Sequence, residues 1–234
     1  MKLDVANLEA WYGQAQILFG VHLEVDPGEV VALIGRNGAG KSTTFRSLVG
    51  LVARRRGEIR FGGTSLSGLP TFDIVRRGLA YVPEDRRIFA ELTVEENLAV
   101  GRQPARPDAP VWTPERLYGL FPNLGAMRAR LGGQMSGGEQ QMLTIARSLM
   151  GNPSLVLLDE PSEGLAPKVV EQMAHAILAM KSEGLGVLVS EQNLHFARLI
   201  ADRAVVMDRG AIRFAGTFAE LDRNPELREA YLAV

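Results

Sequence analysis

The sequence predicts an α/β fold in which a parallel sheet is covered by helices on both faces and interrupted by an inserted helical segment. Three observations predict it. Apolar, β-branched runs occur at EVVALIG (29–35), SLVLLDE (154–160) and VLVSE (187–191), without the polar alternation of a half-exposed strand. Each run leads into helical spacing, from Lys41 to Leu51, from Lys168 to about Lys181 and from Leu194 to Ile200. Between the first pair lies 85–150, rich in Arg, Leu and Met and broken at QPARPDAP (103–110), which reads as mostly helical.

Taken in order, EVVALIG is the first buried strand, and its terminal glycine marks a turn before the first helix. SLVLLDE and VLVSE are the second and third. DRAVVMDRGAIRFAG (202–216) has a DRG turn between two β-like runs, the pattern of a hairpin. The last dozen residues look helical. The chain has 234 residues, 46% of them hydrophobic and 23% charged, enough for one domain with a sizeable core, 1–84 and 151–234, and an inserted subdomain over about 85–150.

Charge and composition exclude several roles. Twenty-six basic residues against 27 acidic leave a net charge of −1, so no nucleic acid is expected as partner. With no cysteine, disulfides, thiol catalysis and thiolate metal sites are ruled out. MKLDVANLEAWYG has no apolar signal region, and no apolar run reaches bilayer length. A soluble protein is expected, with any membrane dealings conducted through a partner.

GRNGAGKS (35–42) fits G-x-x-x-x-G-K-[ST] between a buried strand and a helix. Its backbone, Gly35, Arg36, Asn37, Gly38, Ala39 and Gly40, can curl N–H groups around phosphate oxygens, and the helix start at Lys41–Ser42–Thr43 adds its dipole. Lys41 brings a mobile charge to the β- and γ-phosphates, and the Ser42 hydroxyl can ligate Mg²⁺. At the end of the second strand Asp159 suits Mg²⁺ and Glu160 suits orienting or deprotonating an attacking water. QMSGGEQQMLTIARSLM (134–150) opens a helix at the N-cap Ser136, with Gly137 and Gly138 expected to leave first-turn N–H groups uncovered as a second anion site.

The order GRNGAGKST, MSGGEQQ, LVLLDEP resembles the ATP-binding cassette ATPases over essentially the whole chain. Within them VPEDRRIFAELTVEENL (82–98), DEPSEGLAP (159–167), SEQN (190–193) and REAYLAV (228–234) resemble the second ATPase subunit of the high-affinity branched-chain amino acid importers. The resemblance implies a P-loop NTPase (RecA-like) core with an N-terminal antiparallel β part. It implies two subunits sandwiching ATP, each nucleotide lying between one phosphate loop and the partner's Ser136–Gly137–Gly138. It places Tyr12, with Trp11 as neighbouring candidate, where the family stacks an aromatic on adenine. The loop SEGLA (162–166) should meet the partner, although Ala166 stands where many members have aspartate.

Two positions depart from the family pattern. Gln192 replaces the histidine that commonly reaches the γ-phosphate, and it can donate a hydrogen bond but carries no titratable proton. Glu84 replaces the glutamine that senses Mg²⁺ and couples to the membrane subunit. A carboxylate is the better hard-cation ligand but repels phosphate, by about 4 kcal/mol at ~4 Å and an effective dielectric constant of about 20. His195 is expected to be a surface or packing residue, and His22 and His175 ordinary. RRR (54–56) could touch phosphate or lipid headgroups but, following the first helix, reads first as a solvated turn, and Arg86 and Arg87 read as pairing with acids of a membrane partner or with Glu91 and Glu95.

These expectations make the chain the ATPase subunit of an amino-acid importer, peripheral on the cytoplasmic face of the cell membrane. ATP and Mg²⁺ are its cofactors. Its partners are a second ATPase subunit, transmembrane permease subunits and, indirectly, a substrate-binding protein. The inserted region 85–150 would carry the groove that receives a cytoplasmic helix of the permease; exposed apolar residues around Ile88–Leu98 are candidates for it, with ordinary subdomain core the leading reading of any one of them. Rival readings are a low-turnover nucleotide-sensing partner, suggested by Glu84 and Gln192, and an ATPase acting on nucleic acid, which the single cassette and the absence of coiled-coil heptads disfavour.

Overall fold

The computed structural model describes residues 1–226 and 229. Strands β1 (Leu3–Tyr12) and β2 (Ala15–Val25) precede β3 (Val30–Ile34) and helix α1 (Lys41–Leu48). β4 (Arg54–Phe61), β5 (Thr64–Ser65), α2 (Thr71–Arg76) and β6 (Leu79–Val82) follow. A helical block then runs through α3 (Val94–Gly101), α4 (Pro114–Leu120), α5 (Pro122–Ala126), a 3-10 turn at Gly132–Gln134 and α6 (Gly137–Leu149). The chain returns with β7 (Leu155–Asp159), α7 (Pro167–Ser182), β8 (Gly186–Glu191), α8 (Leu194–Ile200), the hairpin β9 (Arg203–Asp208) and β10 (Ala211–Gly216), and α9 (Phe218–Asp222).

Among the described residues six strands form the main sheet in the order β10-β9-β3-β8-β7-β6, and four form an antiparallel sheet in the order β2-β1-β4-β5. In the main sheet β9, β3, β8, β7 and β6 are parallel, and only β10 is antiparallel. Side-chain alternation divides each central strand between two cores. Val30, Ala32 and Ile34 pack with α6, α7 and α8, whereas Val31 and Leu33 pack with α1 and the antiparallel sheet. Burial on both faces is why these strands read as unbroken apolar runs.

Two local expectations are corrected. The first helix ends at Leu48 rather than Leu51, where Val49 caps it and Gly50 turns left-handed at φ 80°. RRR is no turn: Arg54, Arg55 and Arg56 begin β4 and pair with Trp11, Ala10 and Glu9 of β1. Pairing with β1, a tertiary context that charge pattern alone does not reveal, makes the segment a strand. Of the C-terminal dozen expected to be helical, 227–228 and 230–234 lie outside the described residues, as does most of REAYLAV.

The hairpin turn locks the two sheets to the phosphate loop. Gly210 donates its N–H to the Ala39 carbonyl (2.7 Å) and accepts from Phe19 N–H (2.9 Å). Its φ is +76°, and a Cβ would stand 1.8 Å from the Ile17 carbonyl oxygen. Gly210→Ala is therefore expected to destabilise the fold by more than about 1 kcal/mol, measured as a lower urea midpoint at unchanged slope.

Candidate active site

Because β3, β8 and β7 are parallel neighbours, their carboxyl ends lie at one edge of the sheet, with Ile34 level with Glu191 and Ser190 level with Asp159. Three segments far apart in sequence, 35–42, 159–160 and 190–192, thereby meet. In the phosphate loop Arg36, Asn37 and Gly38 are exposed, Gly35, Ala39 and Gly40 are buried, and Ser42 and Thr43 are half-buried. Gly40, left-handed at φ 111°, starts α1 with no side-chain cap, so first-turn N–H groups stay available to an anion. Lys41 is 3% exposed; its ammonium donates to the carbonyls of Gly35 (2.7 Å) and Arg36 (3.2 Å) and pairs with Glu160 Oε1 (3.1 Å).

Asp159, 1% exposed, accepts three hydroxyls. Oδ1 takes Ser190 Oγ (2.7 Å) and Ser42 Oγ (3.1 Å), and Oδ2 takes Tyr81 OH (2.9 Å). Burial and the Asp159 carboxylate push the Tyr81 phenol up, leaving it a fixed donor. Among the described residues no three His, Cys, Asp or Glu side chains gather as a metal cage. Asp159 and Ser42 nevertheless fit Mg²⁺, which one or two protein oxygens hold when phosphates and waters complete the shell. Glu84 is exposed just beyond β6. It makes no hydrogen bond or ion pair with described residues.

Glu160 occupies a left-handed backbone conformation (φ 45°), fixed by bonds from its N–H to the Ser190 carbonyl (3.2 Å) and Oγ (3.0 Å). Gln192 does reach the site, and there its amide donates to Glu160 Oε2 (2.6 Å). Burial alone would raise the Glu160 carboxyl, but hydrogen bonds from Glu163 and Gln192 and the Lys41 charge outweigh it and hold it below its ordinary value. Glu163 is pushed up to about 7, first by its hydrogen bond with Glu160, then by burial and by Glu160, Glu84 and Glu191. Glu191 is 2% exposed and raised by burial, and it receives the N–H groups of Ser162 (3.3 Å) and Asn193 (3.4 Å). In this arrangement Lys41 and Glu160 neutralise each other. A polyphosphate that drew Lys41 away would free the carboxylate.

The aromatic candidates separate. Trp11 is covered by Arg54 and Arg56, 4.9 and 5.7 Å from its centroid, whereas Tyr12 remains 47% exposed. The Arg46 guanidinium lies against the hydroxyls of Tyr81 and Tyr12, which raise its pKa.

At the other candidate anion site Ser136 caps α6 in a reciprocal box with Glu139. Gly137 and Gly138 are half-buried, and a Cβ on Gly137 would meet the Arg86 guanidinium at 2.6 Å and one on Gly138 Val169 at 2.8 Å. Arg86 forms no pair with Glu91 or Glu95, and Arg87 pairs with Asp85 (2.8 Å). No hydrogen bond joins Ser136–Gly138 to the chain's own phosphate loop among the described residues.

His195 and His175 are exposed on α8 and α7, and His22 is exposed on β2. Sequence reasoning overlooked Tyr81, Ser190, Arg46 and Glu163 in the site. Only Ser190, next to Glu191 at the end of an apolar run, left any trace in the pattern.

The family model for the ABC transporter matches residues 18–163, more than half the chain. The chain is 46% identical over 230 residues to the high-affinity branched-chain amino acid transport ATP-binding protein BraG of Pseudomonas aeruginosa, covering 98% of this chain and 99% of that one. It is 35% identical to the lipopolysaccharide export system ATP-binding protein LptB of Haemophilus influenzae, covering 98% and 96%. A solved ATP-binding subunit of an ABC transporter superposes with a TM-score of 0.83 at 32% identity, over 99% of this chain and 96% of that one.

Ser190→Ala removes a hydroxyl donor from the buried Asp159 carboxylate and one of the two acceptors of the Glu160 N–H, which keeps the Ser190 carbonyl. A loss of about 1–3 kcal/mol is expected in urea denaturation. Glu163 gives a pH signature. Its folded pKa lies above the unfolded value, so its contribution is full at low pH and falls away as pH rises from about 4.5 through about 7. Glu163→Gln should therefore flatten the drop in unfolding midpoint between about pH 5 and about pH 8.

Proposed function

The chain belongs to the ABC transporter family, whose ATP-binding subunits are ATPases coupled to transport, and from that premise we propose that it powers an importer of branched-chain amino acids. The observation that carries the proposal is the convergence of Lys41, Asp159, Glu160 and Gln192 at one sheet edge. The 46% identity to BraG along nearly the whole chain supports the amino-acid substrate over lipopolysaccharide, where identity is 35%.

In the proposed mechanism the substrate is ATP. Residues 35–43 and Lys41 hold its phosphates, Tyr12 stacks on adenine, and Asp159 and Ser42 would hold the metal, with the exposed Glu84 as a further candidate ligand. Bound Mg²⁺ supplies charge neutralisation at the phosphate oxygens. Glu160 orients a water, whose oxygen bonds to the γ-phosphorus as the β–γ bridging bond breaks. The water's proton passes to Glu160, and ADP and phosphate leave. Gln192 holds Glu160 in place through the 2.6 Å bond and lacks the proton a histidine could exchange.

Two subunits close on ATP, with Ser136, Gly137 and Gly138 of each covering the other's γ-phosphate. Within the inserted subdomain, about 85–150, α6 is tied to the first residues after β6, because Thr144 Oγ1 and Arg147 Nη2 donate to the carbonyls of Arg86 (2.5 Å) and Arg87 (2.6 Å). Beside that loop a groove of about 400 Å³ is lined by Leu51, Val75, Phe89 and Val100, all exposed apolar side chains. It is the seat for a cytoplasmic helix of the permease, which also engages a substrate-binding protein. No described helix is long and apolar enough to cross a membrane, and the chain works as a peripheral subunit on the cytoplasmic face.

Steady-state ATP hydrolysis should rise more steeply than protein concentration, and Glu160→Gln should lower kcat by about 10² or more. A second reading, a nucleotide-sensing subunit, is favoured by the Gln192–Glu160 bond. Tight ATP binding without turnover, alone or beside a second ATPase subunit, would select it.

A further inference from the structure

β4 sets a guanidinium where its pattern would bury carbon. Ile59 and Phe61 face the core beneath the antiparallel sheet. Arg55, paired with the buried Ala10, falls on the same row by strand alternation. The Arg55 side chain is half-buried. Its Nη1 donates to the Val52 carbonyl (2.8 Å), and Nη2 lies 3.5 Å from where a Cβ on Gly50 would stand.

None of Arg54, Arg55 and Arg56 forms an ion pair among the described residues. Burial pushes the Arg55 guanidinium down, with no nearby acid to offset it. Beside it opens a hollow of about 200 Å³, lined also by Ala53, Arg56, Gly57, Ser67 and Gly68.

A partly desolvated cation without a counter-ion is unfavourable, and a carboxylate docked against the fork of a guanidinium recovers that cost with two parallel charge-assisted bonds. The place of the hollow says where the carboxylate comes from. Gly50, against which Arg55 packs, joins Val49 and Leu51, and both line the permease groove. Gly50 therefore lies between the Arg55 side chain and that wall of the groove.

We propose that this hollow is a carboxylate site, taking an aspartate or glutamate of the permease next to the helix seated in the groove. The site rests on the docking reading above and adds to it a charge requirement: the permease segment is acidic on the flank that meets β4.

The test uses the full chain assembled in membranes with its cognate transmembrane subunits. Arg55→Gln should leave ATP hydrolysis and the melting temperature of the isolated chain unchanged. It should raise by about tenfold the concentration needed to saturate the transmembrane subunits. Arg55→Lys should retain part of the affinity, and Arg55→Glu should be rescued by a lysine at the acidic permease position found by cross-linking. If Arg55→Gln assembles like the parent, the carboxylate site is overturned while the groove stands. Flotation of the chain alone on phosphatidylglycerol vesicles, lost in Arg55→Gln, would also overturn it, in favour of a lipid phosphate. Failure of the unaltered chain to assemble removes the docking reading and this site together.

Discussion

A single buried carboxylate organises the candidate site. Asp159 satisfies its charge with hydroxyls from three elements, Ser42 on α1, Tyr81 on β6 and Ser190 on β8. An uncompensated carboxylate at that depth would neutralise or disrupt the sheet edge. Meeting its demand fixes the spacing between the phosphate loop and the two neighbouring strand ends. The Ser190 side chain also reaches the Glu160 N–H, so the same hydroxyl steadies the metal-binding candidate and the candidate base.

Around Asp159 the charges stand in a self-satisfied arrangement. Lys41 and Glu160 share a buried contact, Gln192 closes the second carboxylate oxygen, and Glu163 approaches from the loop before α7. Removing one member would leave another charge buried and unpaired, which costs more than the pair itself contributes. A polyphosphate is the natural competitor for Lys41, since it offers more anionic oxygens and the N–H groups at the start of α1. Occupancy of the loop and release of Glu160 are then one electrostatic event.

Farther out, the same principle separates surfaces that are complete from those that are not. Arg54 and Arg56 spend their charge on Trp11, Arg87 on Asp85 and Arg203 on Glu29. Arg55 has a backbone carbonyl and no acid, next to a groove whose apolar lining is exposed. Unmet charge and uncovered carbon lie side by side, the combination expected of a surface finished by a second polypeptide.

The sequence by itself determined whatever depends on neighbouring residues: the phosphate loop between strand and helix, Asp159–Glu160 at a strand end, the Ser136 cap and the DRG hairpin. Glycines, caps and apolar runs act within a few residues, so their pattern is local and legible. Tertiary structure decided what those pieces meet. Tyr81 and Arg46 joined the site, and Trp11 went to Arg54 rather than standing free. Arg86 covered Gly137, and RRR became a strand because β1 supplied its ladder. Each outcome depends on strand order and register, which bring together residues tens of positions apart and leave no periodic trace in the chain.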